Sequence, residues 1–182
     1  SLEEVLKELK KIVEDVTRRL EEMLRESKET SKEVEKELKK LDDEIREIIE
    51  RAEEDLRRAN KPEEELDKAR RRLEKILEDN NRKNREITKR SRTENKRLEE
   101  RLEEIVRRLK TELDKLRKVL EEGKVDEEIL KEVAERLKKT AEEVKRELEK
   151  FIEDDRKRAD EVRRENEETL KRIEDIVREL KR

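Results

Sequence analysis

LEEVLKELKKIVEDVTRRLEEM, residues 2–23, decides the fold class. Leu2, Leu6, Leu9, Val13, Val16, Leu20 and Met23 recur at alternating steps of four and three. That spacing is one face of an α-helix. The pattern runs on through Val34, Leu38, Leu41, Ile45, Ile48 and Ala52. A second run holds Leu66, Ala69, Leu73, Ile76, Ile87, Leu98, Leu102, Ile105, Leu109, Leu113, Leu116 and Leu120. A third holds Ile129, Val133, Leu137, Val144, Leu148, Ile152, Ala159, Val162, Leu170, Ile173, Val177 and Leu180.

Helix breakers stand only between these runs. Pro62, after Asn60 and Lys61, suits the first position of a new helix. Gly123 suits a left-handed helix end. Asp126 is a good N-cap, with Val125 and Leu130 spaced as a hydrophobic staple, and Ser1 with Glu4 fits a capping box. The reading places helices at about 2–59, 62–121 and 126–182, each about 85 Å long at 1.5 Å per residue. Short connections force neighbours to run antiparallel. The expected fold is all-α: an elongated up-down-up three-helix bundle with antiparallel neighbouring helices, forming a single domain over residues 1–182. The apolar stripe drifts by one position near Val34. A straight helix drifts and a strict heptad does not, so nearly straight, coiled-coil-like packing is expected.

Composition narrows the chemistry. Charged residues make up 61% of the 182, with 54 basic and 57 acidic side chains. Such a chain would be disordered if its charges were unbalanced and its apolar residues aperiodic. Here the charges interleave and the stripe is regular. Cys, His, Trp and Tyr are absent, Phe151 is the one aromatic and Gly123 the one glycine. Disulfides, thiol or imidazole catalysis, ordinary zinc sites, aromatic stacking on single-stranded nucleic acid and glycine-rich phosphate loops are thereby excluded. No apolar run approaches the roughly 18 residues of a membrane span, and the start shows no signal-peptide pattern. A soluble protein is expected, with no membrane partner.

Three groups invite a functional reading. Arg82, Lys83, Arg85, Lys89, Arg90, Arg92, Lys96 and Arg97 form a basic stretch whose only acids are Glu86 and Glu94. Without interleaved aromatics, and beside acid-rich neighbours, it reads as a solvated face and not a nucleic-acid track. Asp42 with Asp43, and Asp154 with Asp155, are adjacent acids whose side chains diverge by about 100° on a helix. Asp155 near the Asn cluster offers too few carboxylates for a hard-cation site. The expectation is no enzyme, no catalytic, cofactor-binding or metal residues, and no cofactor.

The charge layout supports the topology. Residues 1–60 carry 15 basic and 20 acidic side chains, residues 61–122 carry 21 and 17, and residues 123–182 carry 18 and 20. A basic middle helix between acidic neighbours disfavours wrong pairings.

Polar residues interrupt the stripe. Asn80, Asn84, Thr88, Ser91 and Asn95 stand at core spacing in the second helix, Ser27, Thr30 and Ser31 in the first, and Asp155, Asn166 and Thr169 in the third. Asn and Ser are costly in mid-helix. Antiparallel folding on the short connections brings Ser31, Ser91 and Asp155 to one height, with Ser27 and Asn95 within a turn. Asn80 and Asn166 come to a second height, with Asn84 and Thr169 nearby, and Thr17 and Thr140 to a third. Three independent segments thus put polar residues in shared layers. The reading is a set of buried hydrogen-bond networks that penalise register slips.

On these residues the whole chain resembles computationally designed helical bundles with buried hydrogen-bond networks. The resemblance is carried by Ser1 with Glu4, by the connections Asn60-Lys61-Pro62 and Gly123-Lys124-Val125-Asp126, and by the layered Asn, Ser, Thr and Asp residues. It implies a scaffold with no natural activity. Spectrin-like repeats share the topology with shorter helices and aromatic residues. The expected state is a monomer that requires no partner and binds no nucleic acid. The alternative is a helical interaction module that self-associates or docks a partner helix. The apolar doublets Val5-Leu6, Ile12-Val13, Met23-Leu24 and Ile48-Ile49 suggest that alternative by widening the stripe.

Overall fold

A computed structural model describes residues 2–123 and 126–182. The chain is an all-α three-helix bundle, with α1 at Leu2–Arg58, α2 at Glu63–Glu122 and α3 at Glu127–Lys181. Each first turn carries acids: Glu3 and Glu4, Glu63 to Glu65, Glu127 and Glu128. Carboxylates there complement the helix dipole. Arg57 and Arg58 do the same at the end of α1, whereas the last turn of α2 has no basic residue.

The helix ends explain the connections. At the end of α1, Asn60 adopts φ 55°. Its N–H donates to the Arg57 carbonyl at 3.1 Å and the Lys61 N–H to the Leu56 carbonyl at 3.3 Å. This crossed pair is a Schellman motif with Asn, not Gly, in the left-handed position. Pro62 stands one residue earlier than the first helical position expected of it. Its carbonyl accepts from Leu66 N at 3.2 Å, which makes it the N-cap of α2. Gly123 adopts φ 65°, and its N–H is shared by the Val119 and Leu120 carbonyls at 3.2 Å each. Asp126 caps α3 by accepting the Glu128 N–H at 3.1 Å. The expected capping box at Ser1, the staple at Val125 and the Lys124 step of the second connection lie outside the described residues.

The chain divides into two compact units, and each helix supplies a segment to both. The first comprises Ser1–Lys28 and Thr93–Asp155, the second Glu29–Arg92 and Arg156–Arg182. In the first unit, Leu9, Val16, Met23, Leu102, Ala134, Ala141 and Leu148 are wholly buried in one apolar cluster. In the second, a smaller cluster centres on Ile45, Ala52, Leu73 and Ile173. Each fully buried Leu or Ile contributes about 1.5–3 kcal/mol.

Pairs between helices fix direction within each unit. In the second, Asp42 meets Asn81 and Glu53 meets Arg70, so α1 and α2 run antiparallel. Asn80 with Asn166 and Ser91 with Arg158 show the same for α2 and α3. Glu37 with Arg163 and Asp55 with Lys181 show α1 and α3 parallel, as Glu8 with Lys138 and Arg19 with Glu149 do in the first unit.

Ile129 corrects the stripe of α3. It is 54% exposed, and the next residue, Leu130, is buried instead. The core face then runs through Ala134 and Ala141, small residues that the periodicity alone passed over.

Candidate functional site

The second unit holds a neutral polar layer. Asn80, Asn84 and Asn166 are all buried. Asn80 Nδ2 and Asn84 Nδ2 both donate to Asn166 Oδ1, at 3.2 and 2.8 Å. The Thr169 hydroxyl lies 3.0 Å from Asn80 Oδ1 and 3.0 Å from the Glu165 carbonyl. It has one proton to give, so the two acceptors share it. Asn84 Oδ1 has no hydrogen-bond partner among the described residues. An orphaned buried acceptor costs about 1–3 kcal/mol. Beside this layer, Asn81 Nδ2 donates to Asp42 Oδ1 at 3.0 Å and so ties α2 to α1.

Nearer the α1 midpoint, but still within the second unit, the Ser91 hydroxyl accepts from Arg158 Nη1 at 3.1 Å. Thr30 and Thr88 are half-buried. Arg163 reaches Glu37 at 2.7 Å, Asp160 at 3.3 Å and Glu33 at 3.7 Å. Arg92 pairs with Glu35.

The first unit holds a charged polar cluster. Ser27 and Asn95 are buried, and Asp155 is half-buried. Asn95 Nδ2 donates to Asp155 Oδ1 at 3.2 Å. The Ser27 hydroxyl donates to the Glu99 carboxylate. Burial pushes the Glu99 carboxyl above its ordinary range. The Ser27 bond opposes that, and the negative charges of Glu103, Asp155 and Glu100 reinforce it.

Two expected layer members are not buried. Ser31 and Thr140 are exposed. Thr140 lies one residue off the core face, where Ala141 is wholly buried, and its hydroxyl donates to the Arg136 carbonyl of its own helix at 3.1 Å. Thr17 is half-buried and likewise donates back to Val13 at 2.8 Å. The third layer, Thr17 with Thr140, therefore does not form as a bonded pair. A Thr on a helix satisfies itself on the carbonyl four residues back, which removes the need for a partner. For Ser31, the buried Ser27 one turn earlier takes the interior place.

Two residues that matter were not singled out as layer members. Glu99 stands four residues after Asn95, and Asn81 stands next to Asn80. Four-residue spacing from a polar core residue was the available signal for Glu99.

No protein family, curated protein or solved structure matches this chain. The site's chemistry therefore rests on its residues alone. Among the described residues, no three acidic side chains gather as a metal site would require. No helix among them is long and apolar enough to cross a membrane. A groove of about 360 Å³ opens over Asn80 and Thr169. Its rim alternates Asp79, Glu165 and Glu168 with Arg82, Lys83 and Arg172, so it presents no field of one sign. What the layers can do is hold donors and acceptors of different helices opposite one another.

Proposed function

We propose that the chain is a designed structural scaffold, without natural biochemical activity, whose buried polar layers specify helix register. One observation carries the reading. Asn80 and Asn84 of α2 converge on a single acceptor, Asn166 of α3, in the interior of the second unit. Sliding α3 by one heptad would strand both amides, while an all-leucine stripe would repack at little cost. The composition supports the same reading: Gly and Pro stand only in the connections, and the interior polar residues are confined to layers.

The test is simultaneous replacement of Asn80, Asn84 and Asn166 by Leu. The variant is expected to stay helical and at least as resistant to heat. Its amide NMR spectrum is expected to show several peak sets where the parent shows one. A single sharp set in the variant would overturn the register role.

The same reading makes the protein a monomer. Light scattering on a sizing column should give a constant mass near 22.3 kDa over a wide concentration range. Refractive-index detection is needed, since there is no Trp or Tyr. Twice that mass would favour the interaction-module alternative.

A further inference from the structure

The Asn84 side chain carries more than its bond to Asn166. Its residue is 5% exposed, its Nδ2 is committed at 2.8 Å, and its Oδ1 has no donor among the described residues. Thr88 lies one turn further along the same face of α2 and is half-buried. Thr17, Thr111, Thr140 and Thr169 each place the hydroxyl 2.8–3.1 Å from the carbonyl four residues back. Thr88 makes no such bond. A buried acceptor and an uncommitted hydroxyl thus stand at neighbouring positions.

The three amides also admit a second, concerted arrangement. Turned by half a rotation, Asn166 donates to both Asn80 and Asn84. Asn80 then donates to Thr169, whose proton passes to the Glu165 carbonyl. Every bond of the layer survives with donor and acceptor exchanged. The outer atom of Asn84 becomes an NH2 instead of a carbonyl oxygen, and it is still without a protein partner. Only a group that both donates and accepts serves either arrangement.

We infer that a single buried water molecule bridges the outer atom of Asn84 to the Thr88 hydroxyl. Polar interior sites with at least two partners hold such waters. The buried neighbours that α3 presents at this height, Ala159 and Val162, are apolar and offer Asn84 neither donor nor acceptor. The water completes the layer without fixing its direction, so the three amides reverse together. This inference rests on the bonding of Asn84 and not on the register role, and the two fail separately.

Oxygen-17 relaxation dispersion of the solvent, measured on the full chain, counts long-lived internal waters and is blind to hydroxyl protons. The parent should show such water, and Thr88→Val should lower the amplitude by that of one molecule. Asn84→Leu, which removes the other anchor, should lower it equally. Circular dichroism checks that both variants remain helical. Thr88→Ser, which keeps the hydroxyl, should leave the amplitude at the parent value. No dispersion in the parent, or the same amplitude in the parent, Thr88→Val and Asn84→Leu, would overturn the proposal.

Discussion

The two units solve the same packing problem with different materials. In the first, the apolar cluster takes long segments of all three helices, from Leu2 to Met23, Leu102 to Leu116 and Leu130 to Phe151. In the second, the cluster reduces to Ile45, Ile49 and Ala52 with Leu73, Leu77, Ile173, Ile176 and Val177. The second unit adds a neutral amide layer and the two-pronged ion pair of Arg70 with Glu53, at 2.7 and 2.8 Å. Apolar burial is strong but indifferent to register, while directional bonds are weak but selective. The first unit therefore draws more on apolar burial, and the second adds more directional bonds to a smaller apolar cluster.

The largest expected effect tests that division directly. Leu148→Ala in the first unit and Leu73→Ala in the second each remove a wholly buried side chain. Each should cost about 2–5 kcal/mol. Leu73→Ala takes a larger share of a smaller cluster. Hydrogen exchange should then show amides of the second unit opening well before those of the first. Equal loss of protection in both units would erase the comparison.

Next comes the amide layer. Asn166→Leu alone strands the Asn80 and Asn84 amides, at about 1–3 kcal/mol for each stranded group. The triple leucine variant should recover most of that loss, so the single effects will be strongly non-additive. Ser27→Ala in the first unit should cost less, about 0.5–1.5 kcal/mol, because solvent still reaches the Glu99 carboxylate it leaves. Urea titrations of the three variants measure all of this. Additive costs would mean that the layer does not act as one unit.

A smaller effect separates the ion pairs. The Arg70 guanidinium holds the Glu53 carboxyl below its ordinary range against the opposing effect of burial. Glu53→Gln should lower the unfolding midpoint slightly at low salt. In about 1 M salt, where the screening length falls to about 3 Å, the difference from the parent should shrink. A salt-independent loss would mean packing of the Arg70 stem, and not charge, is what the pair supplies.

How much of this was legible in the sequence depends on the spacing being read. The three helices and their ends were legible because Pro62, Gly123 and Asp126 interrupt an otherwise continuous period. The pairing of Asn80 with Asn166 was legible because connection lengths fix which heights meet. Azimuth was less so. One residue shifts a side chain by about 100°, so Thr140 for Ala141 and Ile129 for Leu130 are single-step errors that put a residue on the surface. Alanines at 134 and 141 weigh little in a hydrophobic count yet lie wholly buried. The left-handed Asn60 was hidden by its identity, since Gly is the usual residue there.

The smallest effect is also the one in which the units should differ in sign. Burial favours the neutral form of Asp42, but hydrogen bonds from Asn81 and Arg46 outweigh it and hold the carboxyl below its ordinary range. With Glu53 lowered as well, the second unit gains stability above the ordinary carboxylate range, near pH 4. It loses that stability as pH falls through the lowered folded values. Glu99 in the first unit is raised, by burial first and then by its acidic neighbours. Its contribution is full below the ordinary range and is lost as pH rises through the raised folded value. Glu99→Gln should therefore raise local protection around Ser27 and Asn95 at pH 7 and change little at pH 3. Asp42→Asn should lower protection around Asn81 at pH 7, and by less at pH 3. Amide exchange at the two pH values, referred to the parent, reads both. If the two substitutions shift protection at pH 7 in the same direction, the opposite polarity assigned to the units is wrong. The Glu99 carboxylate would then be held by favourable partners, as those of Asp42 and Glu53 are.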